Sequence, residues 1–227
     1  FQLYIDMKRE YNIYERIVEM KVGFVSLGCS KNLVDTEKII GIFKAEKYQI
    51  VSRPEEAEII VINTCGFIES AKEEAINTIL EMAEYKKQKC KYLIVLGCLV
   101  ERYKEELIKA LPEVDLFVKY SEYNTLWEQI TEPLGSKCEA ANNSGKYNID
   151  EENKSHTACK VTNMEKYSEF DTIEERVVST GNNFAYLKIA DGCSNRCTYC
   201  AIPYIRGLFI SRPMEDILKE AKMLANN

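Results

Sequence analysis

The chain has 227 residues, 46% of them hydrophobic, which is enough to build a buried core and excludes a wholly disordered protein. Its formal net charge of −6 provides no general basic field for a polyanion, although a local basic patch remains compatible with it. One histidine, His156, in a polar stretch leaves little room for histidine-based catalysis, and nine cysteines point to metal or redox chemistry rather than disulfides in a cytoplasmic protein.

Residues 1–19 precede Met20 and read as an upstream extension, either a short helix packed on the domain or a segment outside it. No apolar run approaches the roughly 18 to 20 residues that span a bilayer. From Lys21 the chain alternates: an apolar run Val22 to Leu27, a helical period Leu33 to Lys47, a run Ile59 to Ile62, and a long helix Ile68 to Lys87. Then come Tyr92 to Leu96, a helix Val100 to Ala110, the short strand Leu116 to Val118 and a helical piece Tyr123 to Ile130. Wholly apolar strands separated by helices predict a Rossmann-like or flavodoxin-like parallel sheet with helices on both faces over residues 20–130.

Residues 131–180 are polar, rich in Asn, Glu, Lys and Ser, and without period, so they read as a linker or insertion. After them FAYLKIA, Phe184 to Ala190, reads as a new strand, followed by a cysteine-rich loop and a helix from Pro213. One βα unit cannot bury both faces of its strand, so residues 181–227 read as the incomplete start of a second α/β domain.

Cys193, Cys197 and Cys200 are spaced C-x3-C-x2-C in that loop. Thiolates are the usual ligands of iron–sulfur clusters, and three ligands for four irons leave one iron open to a further molecule. A zinc knuckle would need a fourth Cys or His, and none follows Cys200. Cys29, Cys65 and Cys98 each end an apolar run, and the carboxyl ends of parallel strands share one edge, so these thiols are expected to converge there. Their alternative is the buried cysteine acting as a small hydrophobe. Cys90, Cys138 and Cys159 show no such placement. Asn32, Asp35, Asn63 and Thr64 flank the first group as helix caps or as hydrogen-bond donors to a cluster, capping being the favoured role. Arg206 and Arg212 read as solvated arginines or as contacts to substrate.

The segment CSNRCTYC resembles the signature of radical S-adenosylmethionine (SAM) enzymes, whose motif follows the first strand of a (β/α) barrel. Together with the first three cysteines it makes the chain similar to the radical SAM methylthiotransferase family. SLGCSKNLVDTEKIIG, NTCGFIESAKEEAINTILE and GCLVERYKEEL resemble the branch acting on an aspartate of small-subunit ribosomal protein twelve, rather than the branch acting on transfer RNA adenosine.

The resemblance implies methylthio insertion at the aspartate β-carbon. It also implies two [4Fe-4S] clusters, one on Cys29, Cys65 and Cys98 and one on Cys193, Cys197 and Cys200, the latter binding SAM with Tyr199 near the adenine. No further catalytic residue is assigned. An electron donor such as flavodoxin or ferredoxin, a ribosomal protein substrate and a cytoplasmic location go with it, and RNA contact only through a C-terminal domain not in this stretch. Because the rest of the barrel is not in the sequence, the isolated chain is expected to bind clusters poorly and to lack full activity. A non-catalytic scaffold and a structural zinc protein are the rival expectations.

Overall fold

The computed structural model describes residues 20–136, 170, 176–181 and 183–226. The upstream extension, most of the linker, His156, Cys138 and Cys159 lie outside the described residues.

Five strands form one parallel sheet: β1 Lys21–Ser26, β2 Gln49–Val51, β3 Ile59–Thr64, β4 Tyr92–Gly97 and β5 Leu116–Lys119, in the order β2-β1-β3-β4-β5. The helices between them are α1 Ser30–Ala45, α2 Glu69–Ala83, α3 Cys98–Ala110 and α4 Leu126–Ser136. β3 and β4, with sequences IIVINT and YLIVLG, are buried at every position, as central strands covered on both faces must be.

Alternation along the strands sends Ile59 and Val61 to one face, with Ile39, Phe43 and Ile130, and Ile60 and Ile62 to the other, with Ala75, Ile79 and Leu107. Each Ile or Leu side chain so buried contributes about 1.5–3 kcal/mol over exposure. On the first face the Phe43 ring meets Phe24, Tyr48 and Trp127 edge-on, with centroids 5.4, 5.1 and 5.4 Å away. α2 shows why it docks: its buried residues Ala75, Ile79, Met82 and Ala83 fall on one stripe.

The parallel α/β sheet expected for this region is therefore present, with four differences in detail. β2 is not visible as an apolar run, because an edge strand of three residues, half exposed, needs no such run. The helix expected over Ile68 to Lys87 ends at Ala83 and tightens into a 3₁₀ turn over Glu84–Lys87. Another 3₁₀ turn, Tyr120–Thr125, leads into α4, which runs on to Ser136 past the expected boundary.

The fourth difference is FAYLKIA, which is not a strand over Phe184 to Ile189. Only β6, Ala190–Asp191, pairs, and it does so antiparallel to β7, Ile210–Ser211. Arg212 closes that short pair: its backbone N–H donates to the Ile189 carbonyl at 2.9 Å as the last bond of the ladder, and its side-chain Nη1 takes the Lys188 carbonyl at 2.9 Å, an acceptor that a further strand would use. A short helix, α5 Ile202–Ile205, and the terminal helix α6 Met214–Asn226 complete the described chain.

Candidate functional site

The order β2-β1-β3 reverses the direction of the chain at β1, so a crevice opens beyond the carboxyl ends of β1 and β3. All three cysteines of the first group lie on this edge. Cys29 is exposed at the start of α1, Cys65 follows β3 buried, and Cys98 is the buried first residue of α3. The turn after β1 depends on Gly28, at φ +91°, where an added Cβ would stand 2.5 Å from the Cβ of Cys65 and 3.0 Å from its Sγ. Gly97 has the same role before Cys98: at φ +104°, its added Cβ would meet Asn63 Oδ1 at 2.3 Å.

Asn32 ties these strand ends together. Its Nδ2 donates to the carbonyls of Leu27 and Thr64, each at 3.0 Å, and its Oδ1 accepts from the Cys98 thiol at 3.4 Å. Asn63 Nδ2 donates to the Asn32 carbonyl and to Thr36 Oγ1 at 3.0 Å, and Thr64 Oγ1 donates to the Leu96 carbonyl at 2.7 Å. The capping role expected for Asn32, Asp35, Asn63 and Thr64 is thus replaced. Cys29 occupies the N-cap of α1 without a side-chain cap, while these four side chains are buried and bonded across the sheet edge. Burial pushes the Cys98 thiol up to about 11, against the pull of the Arg206 guanidinium.

The second group follows β6 in the loop from Gly192 to Cys200. Cys197 is exposed and Cys193 and Cys200 are half-buried. The Cys193 N–H donates to the Gly207 carbonyl at 3.1 Å and the Cys200 N–H to the Cys197 carbonyl at 3.0 Å, folding the loop back on itself. Gly192, at φ +71°, leaves an added Cβ only 2.0 Å from the Leu208 carbonyl oxygen. Tyr199 is 87% exposed. Among the described residues, no three His, Cys, Asp or Glu side chains stand close enough together to hold a metal ion.

Between the two groups lies a buried charge cluster that the sequence reading missed. Arg206 and Arg212, read as solvated arginines or substrate contacts, are 4% and 6% exposed. Arg206 donates through Nη2 to Asn32 Oδ1 and Asp35 Oδ2, both at 2.7 Å, and through Nη1 to Asp191 Oδ2 at 2.8 Å. Its guanidinium stacks 4.4 Å from the centroid of Tyr120, whose hydroxyl donates to Asp191 Oδ2 at 2.7 Å. Lys188 Nζ adds contacts to Asp35 at 2.9 Å and Asp191 at 3.3 Å, and Lys31 Nζ one to Asp191 at 3.1 Å.

Burial pushes the Asp191 carboxyl up, but Arg206, Lys188 and Lys31 outweigh it and hold the group well below the usual carboxylate range. A second cluster joins Arg176 to Glu37 and Glu220, and Arg212 to Glu220. The sequence held one signal: Asn32, Asp35 and Thr36 continue, at helical spacing, the face of α1 that carries Ile39 and Phe43, so polar side chains stand on the buried face and need buried partners.

Residues 21–119 match the model of uncharacterized protein family UPF0004. The chain is 58% identical over 206 residues to ribosomal protein uS12 methylthiotransferase RimO of Alkaliphilus oremlandii, covering 91% of this chain and 41% of that protein. It is 50% identical over 208 residues to the RimO of Acetivibrio thermocellus, covering 92% and 43%, and 44% identical over 208 residues to that of Caldicellulosiruptor saccharolyticus, again covering 92% and 43%. The chain is thus similar to these uS12 methylthiotransferases over most of its own length and to UPF0004 over residues 21–119. It spans about two fifths of the length of the curated relatives it matches. Among the described residues no helix is long and apolar enough to cross a membrane.

Proposed function

We propose that the chain is part of a cytoplasmic radical SAM methylthiotransferase whose substrate is an aspartate of ribosomal protein uS12. The observation that carries this reading is the 58% identity to a uS12 methylthiotransferase over 206 residues. In the proposal Cys29, Cys65 and Cys98 hold one [4Fe-4S] cluster, and Cys193, Cys197 and Cys200 hold a second that also binds SAM.

The residues present suit such groups in kind: two sets of three soft thiol donors, with positive-φ glycines at Gly28, Gly97 and Gly192 beside them, and no histidine among them. When bound, the clusters and SAM supply sulfur and one-electron radical chemistry, with electrons from a flavodoxin- or ferredoxin-type donor.

The chain's own residues do the positioning. Gly28 and Gly97 bring the backbone close enough for Cys65 and Cys98 to share one edge with Cys29. Asn32 fixes the strand ends behind those thiols, and the charge cluster around Asp191 anchors the base of the second loop. Tyr199 leaves its ring free for a flat partner such as adenine.

Anaerobic reconstitution of the longer protein with iron and sulfide, followed by metal analysis and EPR, tests the cofactor assignment: two [4Fe-4S] signals are expected, and zinc without labile sulfide overturns it. Mass spectrometry of the products of the longer protein tests the substrate. Methylthio gain on the uS12 aspartate is expected, and the same gain on transfer RNA overturns the assignment.

A further inference from the structure

We propose that Arg206 is a positioning residue that sets the register between the two cysteine-bearing edges, by joining Asn32 on one side to Asp191 on the other. The inference rests on the functional reading above for its purpose and on geometry for its substance.

On the first side, Asn32 is one hydrogen bond from every strand end that carries a thiol: the Leu27 carbonyl before Gly28 and Cys29, the Thr64 carbonyl before Cys65, and the Cys98 thiol itself. On the second side, Asp191 opens the loop of Cys193, Cys197 and Cys200, and its Oδ1 accepts the N–H of Gly192 at 2.8 Å. Arg206 reaches both with one guanidinium, at 2.7 Å to Asn32 and 2.8 Å to Asp191, and takes Asp35 with the same fork. Its backbone takes part as well, since the carbonyl of the next residue, Gly207, holds the N–H of Cys193. Two cysteine loops more than 150 positions apart in sequence are thereby linked through a single planar group.

The chemistry selects arginine. Three acceptors in two directions need a rigid fork of donors, whereas a lysine ammonium is a point charge on a flexible stem. The Tyr120 ring beneath the guanidinium fixes its plane. Stabilisation alone is a poor account of the arrangement, because a buried ion pair is often no better than apolar packing of the same volume. What the cluster supplies is one relative placement of the two segments that it joins.

The test uses the full chain and has two arms. In the first, Asn32→Ala and Asp191→Asn, alone and together, are compared by denaturant unfolding in the native chain and with Arg206→Lys. The two sites share no hydrogen bond, so coupling through Arg206 predicts non-additive effects in the native background and additive ones with Arg206→Lys. Additivity in the native background overturns the inference.

In the second arm, Cys193, Cys197 and Cys200 are replaced by Ala so that only the first group can load. Arg206→Lys is then expected to weaken retention of reconstituted iron against a chelator by about 10- to 100-fold, as loss of an outer-shell partner does. Retention unchanged by Arg206→Lys overturns it. Far-UV circular dichroism of each variant identifies any that has unfolded. If the longer protein takes up no iron and sulfide, the functional reading falls, and the unfolding arm still decides the role of Arg206.

Discussion

Residues 20–136 bury two apolar clusters on the faces of a five-stranded sheet, whereas residues 176–226 bury Arg176, Lys188, Asp191, Arg206 and Arg212, with α6 burying no residue at all. The first region is held by a non-directional term that scales with area, the second by directed bonds between charges. The difference teaches that the two parts should fail separately. Loss of an apolar side chain leaves a void in the sheet, while loss of one charge leaves its partner buried and uncompensated.

The largest separation is expected from Glu37→Ala. Glu37 is fully buried in α1 and its carboxylate takes the Arg176 guanidinium and the N–H and hydroxyl of Ser179. Its loss should cost about 3–5 kcal/mol. Hydrogen exchange should rise over residues 176–226 while β3 and β4 stay protected; equal loss of protection in both regions would break the comparison. Leu96→Ala, in the centre of the sheet, should cost about 2–5 kcal/mol in denaturant unfolding and release both regions together.

Acid should act next and more gently. Burial pushes the Glu220 carboxyl up, but hydrogen bonds from Arg212 and Arg176 prevail and hold it below its ordinary value. A group held lower in the folded chain than in the unfolded one stabilises the fold above the unfolded value, and that support is lost as pH falls through the folded value. Exchange of α6 amides, followed from pH 7 to about 3, should show α6 loosening only in the acid range below the ordinary glutamate value of about 4.3, while the fluorescence of Trp127 in the first region stays unchanged through that step. Glu220→Gln should remove this acid step. The smallest effect belongs to Glu84→Ala, which breaks only the exposed pair with Lys87 and should leave the unfolding midpoint of either region where it was.

Much of the first region was legible as sequence. IIVINT and YLIVLG can be little else than central parallel strands, and a cysteine after each marks the carboxyl edge without any coordinate. The second region was not legible to the same degree. Phe184 to Ala190 has the composition of a strand, but pairing depends on which neighbour takes its carbonyls, and the Arg212 side chain takes that of Lys188. Arg206 and Lys188 look like any surface cation until their partners, Asp35 on α1 and Asp191 on β6, are seen to face them. Local patterns report burial of apolar groups; they carry no record of a charge whose counter-charge lies far along the chain.

The bond from Arg206 to Asn32 closes 174 positions of sequence, and that from Lys188 to Asp35 closes 153. Closing loops of this length costs chain entropy that is repaid only once the partners are already in place. The acceptors on α1 exist as a set only after β1 and β3 have paired and α1 has packed on them. The finished sheet is therefore the template against which the cysteine loop after β6 takes its station.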